Sequence, residues 1–143
     1  MNGDYAKILR RLEAMPVWHK IADPAIGWLA SKTTGWTADS FSGGLEVDFS
    51  AVVPVGTKAV LITVVCINGS TANGVATRAA GDSNISNTPF ASNEFSAQLA
   101  TASQNTRHIA RVWIWLSTDM KADFAVYETG NDLYISYPAG WLG

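Results

Sequence analysis

The chain has 143 residues and a mass of 15.3 kDa; 48% of its residues are hydrophobic, only 15% are charged, and the formal net charge is −2. A chain of this length forms one domain and buries roughly two-thirds of its unfolded surface. The ten Lys and Arg residues are spread along the sequence, which gives no cationic footprint for nucleic acid. We therefore expect a neutral surface and no nucleic-acid partner.

The single cysteine and the short apolar runs exclude two further classes. Cys66 lies inside the run AVLITVVCING, so we expect a buried thiol and no disulfide within the monomer. No apolar run approaches the ~18 residues that cross a bilayer, and the first residues mix acids and bases with apolar side chains. We expect neither membrane insertion nor a cleavable signal.

Residues 1–16 are predicted to form a helix that Asp4 caps and Pro16 ends. Apolar residues recur at the a and d positions of two heptads, namely Tyr5, Ile8, Leu12 and Met15. So short a helix is marginal alone in water. It either packs on its own domain or bundles with two further copies as the end of a stalk, with residues 17–25 as the connector to a head.

From residue 26 onward the hydrophobic period changes from 3.6 to 2, and turn signals separate the apolar segments. The predicted strands are 26–31, 45–50, 58–67, 74–78, 94–99, 107–117, 122–128 and 132–137. Eight short strands with no helical pattern between them predict an all-β domain over residues 26–143. We expect an antiparallel, jelly-roll-like β-sandwich preceded by the short N-terminal α-helix.

Two of these strands are apolar on both faces. In 58–67 the core face carries Val60, Ile62, Val64 and Cys66, and the other face is also apolar. In 107–117 the core face carries His108, Ala110, Val112, Ile114 and Leu116, and the outer face carries Arg107, Ile109, Arg111, Trp113 and Trp115. Either loops fold back over these faces or another copy of the chain covers them. Because Arg and aromatic residues are enriched at interface centres, we predict that another copy covers Ile109, Arg111, Trp113 and Trp115.

The tetrapeptide GDSN at residues 81–84 resembles the opening of the nucleophile block of one class of serine esterases. Such an enzyme needs its serine at the end of an early parallel strand, and an Asp and a His near the carboxyl terminus. The last histidine here is His108, and the surroundings are predicted to be β. We interpret Ser83 as a turn residue and expect no enzymatic activity.

No metal or cofactor is expected either. His19 and His108 are widely separated, and no Cys or His cluster has ligand spacing. Glu46 and Asp48 share a predicted strand face and are interpreted as solvated surface acids.

The remaining signals are six tryptophans and a long neutral, polar tract at residues 81–106. Indole rings offer flat apolar platforms for sugars, although most tryptophans serve as core or interface anchors. Functional contacts concentrate on loops that a rigid scaffold displays. The candidate ligand-binding residues of the tract are Asp82, Asn84, Asn87 and Asn93.

The segments VDFSAVVPVGTKAVLITVV (47–65) and NDLYISYPAGWL (131–142) resemble sandwich domains of bacterial surface proteins and phage fibres. There a Pro-x-Gly turn leads into a Val-rich strand, and the last strand closes with a Gly-aromatic pair. A short heptad helix before a β head is also similar to the distal part of trimeric viral fibres. The resemblance implies a noncatalytic adhesion or decoration module and transfers no binding residues.

Together these features lead to one hypothesis and one alternative. The hypothesis is a homotrimeric structural or attachment protein of a phage or virus particle, a fibre head or decoration protein. Its partners would be its own copies and other particle proteins, with a host-surface glycan as candidate ligand. It would lie on the virion surface, or outside the cell after release. The alternative is a monomeric carbohydrate-binding module of a bacterial secreted or surface protein.

Overall fold

The computed structural model describes residues 3–68, 73–92, 97–101 and 107–143. In chain order the elements are α1 (Gly3–Ala14), β1 (Trp18–Lys20), β2 (Trp28–Lys32), β3 (Leu45–Asp48), β4 (Ala59–Asn68), β5 (Asn73–Ala79), α2 (Pro89–Ser92), β6 (Ala97–Thr101), β7 (Arg107–Trp115), β8 (Lys121–Val126), β9 (Asn131–Ser136) and β10 (Gly140–Leu142). All eight predicted strands are present, with boundaries shifted by a few residues; residues 94–96 of the predicted strand 94–99 lie outside the described residues.

The strands form two antiparallel sheets, and their pairing is that of one long hairpin whose two arms are folded together over both sheets. Within it β5 pairs with β6, β4 with β7, β3 with β8 and β2 with β9. One sheet therefore contains β2, β9, β4 and β7, and the other has the order β3-β8-β5-β6. This nesting is the jelly-roll connectivity, so the predicted fold class is confirmed.

Two short strands extend the first sheet. β10 pairs with the first residues of β4, beside the place where β9 pairs with its later residues, and β1 pairs with β10. β1 lies in the segment 17–25 that was predicted as a connector. This segment thus contributes a strand to the sandwich.

The core lies between the sheets and follows the period of two in each strand. On β4 the alternate residues Val60, Ile62, Val64 and Cys66 are all buried, as predicted. On β7 the inward residue Ile114 is buried, as is Leu116 just beyond the strand, whereas His108, Ala110 and Val112 are half-buried towards the start of the strand. The largest fully buried side chains are Phe49 and Phe124, which close the core from the opposite sheet.

Helix α1 begins at Gly3, so Asp4 lies inside its first turn and is not the residue before it. There the carboxylate still interacts favourably with the helix dipole. Ile8 is 54% exposed, Tyr5 is similarly exposed, and Met15, one residue beyond the helix, is 58% exposed. The side chain of Leu12 lies outside the described part of the structure.

The helix makes no extensive contact with any strand that the structure describes. Packing on the same domain and bundling with further copies, the two readings of the heptads, both stay predictions. No helix among the described residues is long and apolar enough to cross a membrane.

Candidate functional site

The outer face of β7 is open, as its sequence pattern predicts. All five outward side chains are exposed, with Trp115 at 56%, and the strand pairs with β4 alone among the described residues. The predicted interface residues of β7 therefore share one surface. Trp113 and Trp115 lie at one end of this surface, and Ile109 and Arg111 lie towards the other end.

At one end of the sheet is an indole patch formed by Trp18, Trp113 and Trp115. Strands β10 and β4 lie between β1, which carries Trp18, and β7, which carries Trp113. The two ring centroids are nevertheless only 6.4 Å apart, in an edge-to-face arrangement. The Trp18 indole lies over Gly140 of β10: a β-carbon at Gly140 would be in ordinary contact with the ring, at 3.4 Å, and would lie 2.9 Å from the backbone carbonyl oxygen of His19.

At the other end is an arginine groove, lined by Trp28, Arg107, Ile109, Arg111 and Tyr134. It consists of two depressions of about 480 and 340 Å³, and Trp28 lines both. Trp28 is 48% exposed, and its ring lies 5.5 Å from that of Tyr134 at 45°. Arg111 lines the larger depression and Arg107 the smaller one.

The charge of this sheet face differs from that of the whole chain. The strand residues that point outward and carry charge are Lys20, Arg107, Arg111 and Asp132, by the register of β4 with its neighbours. The ion pairs found among the described residues, Arg78–Asp123 and Lys121–Glu46, lie elsewhere. The face is thus cationic in a chain whose net charge is −2.

The polar loop predicted to bind a ligand is held by its own hydrogen bonds. Asp82 Oδ1 accepts from the backbone N–H and the side-chain amide of Asn84, at 2.9 and 3.1 Å. Asn87 Oδ1 accepts from the Ser42 N–H at 2.9 Å, and its amide donates to the hydroxyls of Ser40 and Ser42. Asn87 thereby ties its loop to residues 40–42, and Asn93 lies outside the described residues.

Arg78 organises this loop, a role that the sequence pattern does not reveal. Its Nε donates to Asp123 Oδ2 at 3.1 Å, and its Nη1 donates to the carbonyls of Asp82 and Ile85 at 3.1 and 2.7 Å. The guanidinium also lies 4.5 Å from the centre of the Phe41 ring. Arg78 therefore connects the loop to β8 of the sandwich through these hydrogen bonds.

Ser83 is exposed in the turn between β5 and α2. No group of three or more His, Cys, Asp or Glu side chains gathers among the residues the structure describes. The arrangement around the GDSN tetrapeptide is thus that of a hydrogen-bonded turn.

Glu46 and Asp48 are both exposed, as predicted for surface acids. Hydrogen bonds from the side chain and backbone amide of Ser50 lower the pKa of the Asp48 carboxyl. The hydrogen bond to Glu46, with Nζ and Oε1 3.2 Å apart, raises the pKa of the Lys121 ammonium. Water screens these charges, so they contribute little to stability.

No model of a protein family matches the sequence, and no curated protein is significantly similar to it. Among solved structures, the chain is similar to the Tobacco streak virus coat protein, with 18% identity over 88% of this chain and 89% of that one and a TM-score of 0.35. It is also similar to the carbohydrate-binding module CBM6cm-2 of Cellvibrio mixtus lichenase 5A, in complex with cellotriose, with 12% identity over 89% and 95% of the chains and a TM-score of 0.37.

A third similar structure is the EclA C-terminal domain, a sugar-binding protein, with 20% identity over 87% of this chain and 76% of that one and a TM-score of 0.31. All are β-sandwich-like. The class of this chain, an antiparallel β-sandwich with jelly-roll connectivity, follows from its own strand pairing. The likenesses add nothing about function.

Proposed function

We propose that this chain is a non-enzymatic structural or attachment protein that assembles into a homotrimer on the surface of a phage or virus particle. As a fibre head or decoration protein it would contact its own copies and other particle proteins. The resemblance of residues 47–65 and 131–142 to phage-fibre sandwich domains supports the particle location. The self-assembly rests on one observation, the exposed apolar side of α1.

A lone helix of 12 residues is marginally stable in water, and α1 gains no extensive packing from the described strands. Burying an exposed apolar side chain contributes about 1.5–3 kcal/mol. Three copies that bury Tyr5, Ile8 and Met15 against one another would offset the cost of ordering the helix. Lys7 and Arg10 lie away from this seam and would stay in water.

The outer face of β7 supports the same assembly. The indole patch exposes three large aromatic side chains, of the kind that anchor buried interface centres. A trimer would also present each binding surface three times. Weak contacts on one rigid particle then act at a high effective concentration, so that total binding is strong although each site is weak.

The test compares two double variants of α1. Tyr5→Gln with Ile8→Gln removes apolar seam residues, and Lys7→Gln with Arg10→Gln makes the same number of changes on the solvent side. Glutamine has good helix propensity, so both variants keep the intrinsic tendency to form the helix. We expect sedimentation equilibrium to give a trimer mass for the control and a mass near 15.3 kDa for the seam variant.

Far-ultraviolet circular dichroism of both variants verifies that the sandwich is folded. A seam variant that retains the mass of the unaltered chain would refute assembly through α1.

The second candidate is a monomeric carbohydrate-binding module, and the arginine groove is the observation that favours it. An exposed Trp28 ring over an open depression is suited to a sugar, with or without assembly. The same sedimentation experiment separates the two, because a module of this kind has the monomer mass in every variant.

A further inference from the structure

The arginine groove contains both kinds of group that recognise an acidic sugar. Trp28 and Tyr134 provide flat apolar surfaces, and Arg107 and Arg111 provide guanidinium groups. A guanidinium binds carboxylate or sulfate oxygens through two parallel N–H donors, which fixes the direction of the anion. The larger depression, about 480 Å³, falls within the ordinary range of small-ligand sites.

No acid among the described residues forms an ion pair with Arg107 or Arg111. Both guanidinium groups therefore remain available to an anion from outside. The whole chain has a net charge of −2, whereas this sheet face carries more positive than negative side chains. Charge complementarity thus favours an anionic occupant.

Geometry favours an oligosaccharide over a single sugar. Arg107 and Arg111 are four residues apart on one face of β7, which places their α-carbons about 13 Å from each other at the ordinary rise of a strand. Each arginine lines its own depression, and Trp28 lines both. A chain with repeated anionic groups can reach both guanidinium groups while a ring lies on the indole.

A second copy that covered the groove through a two-fold axis is a poorer occupant, because the arginines of one copy would then lie against those of the other, and like charges in a partly dry contact repel. In the proposed trimer each contact joins two different surfaces, so this repulsion does not bear on it. The indole patch carries no charge and lies at the other end of the sheet. Assembly through the patch and α1 would leave the groove open, which keeps Trp113 and Trp115 of the predicted interface and assigns Ile109 and Arg111 to the ligand instead.

We propose that the arginine groove binds an anionic oligosaccharide, with a carboxylate or sulfate on Arg111 and a sugar ring on Trp28. This inference deepens the proposed attachment role, on which it rests, by naming the class of its ligand. Uronic acids and sulfated sugars share the chemistry that the groove recognises, and separate probes distinguish them.

The test is isothermal titration calorimetry of the full chain with three probes: a hexamer of galacturonic acid, the same hexamer as its methyl ester, and a heparin hexasaccharide. We expect at least one anionic probe to bind and the neutral ester to bind at least tenfold more weakly. Binding should weaken as salt rises, because salt screens the arginines. The anionic probe that binds identifies the carboxylate or the sulfate as the preferred group.

Three variants assign the site. Arg111→Gln and Trp28→Ala should each lower the affinity for the anionic probe at least tenfold. Arg10→Gln removes the same charge from exposed α1 and should leave the affinity unchanged. Arg111 is exposed, so its variant is expected to fold even if the Trp28 variant does not.

The inference is overturned if neither anionic probe binds, if the neutral ester binds as tightly as the better of the two anionic probes, or if Arg10→Gln weakens binding as much as Arg111→Gln. It is also overturned if Arg111→Gln lowers the sedimentation mass and leaves binding unchanged, since a second copy would then cover the groove. A trimer without binding removes this inference alone. A monomer with arginine-dependent binding removes the proposed assembly alone.

Discussion

Replacing Gly44 with alanine is expected to destabilise the protein by about 3 kcal/mol or more. A β-carbon at this position would overlap the backbone carbonyl oxygen of Phe124 and lie 3.1 Å from that of Phe41. Backbone atoms cannot rotate away as a side chain can. The pairing of β3 with β8 begins next to Gly44, at Leu45 and Phe124, so relief of the overlap would displace both strands.

Urea unfolding followed by tryptophan fluorescence, at one protein concentration, measures the effect. Gly3→Ala is the matched control, because its β-carbon would have no atom within 4 Å and alanine favours the helix. Equal unfolding midpoints for the Gly44 and Gly3 variants would show that β3 and β8 are not paired in this register.

Replacing Arg78 with methionine is expected to cost about 3–5 kcal/mol, the usual effect of removing one partner of a buried ion pair. The side chains of Arg78 and Asp123 are each 12% exposed. Loss of the guanidinium leaves the Asp123 carboxylate with only the Gly81 N–H as a described donor, at 3.2 Å. It also releases the loop carbonyls of Asp82 and Ile85.

Lys121→Met is the matched control, because it breaks the exposed pair with Glu46 and should barely change the unfolding midpoint. Adding Asp123→Leu to Arg78→Met should recover part of the lost stability, since no charge then remains buried. An Arg78 variant as stable as the Lys121 control would contradict the role given to Arg78.

Alternation along single strands was enough to predict which side chains face the core. In β4 and β7 the period of two assigns Val60 and Ile114 to the interior and Trp115 to the outer face, and the structure agrees. The short strands β1 and β10 could not be found in this way. Three residues contain too little of the period, and their pairing depends on contacts distant in sequence.

The groove could not be predicted because its parts come from different strands. Arg107 and Arg111 were placed on the outer face, but Trp28 comes from β2 and Tyr134 from β9, which only the sheet brings together. Composition also averages charge over the whole chain. The alternation in β7 indicated two of the positive charges on this face, but only the sheet shows that Lys20 and Asp132 are the other charged residues on it.

Arg78 and Asp123 are 45 positions apart, and neither belongs to a motif. The tertiary fold alone makes Arg78 the anchor of the polar loop. The same fold uses Asn87, predicted from its polar loop as a ligand-binding residue, to join two loops. Polar composition indicates a loop, but it does not say whether the polar groups face a ligand or one another.

We propose that other copies of the chain cover the apolar side of α1. Sedimentation equilibrium of the unaltered protein over a wide concentration range measures this assembly. We expect three times the chain mass of 15.3 kDa, with dissociation only on strong dilution. A mass of 15.3 kDa at every concentration would contradict it.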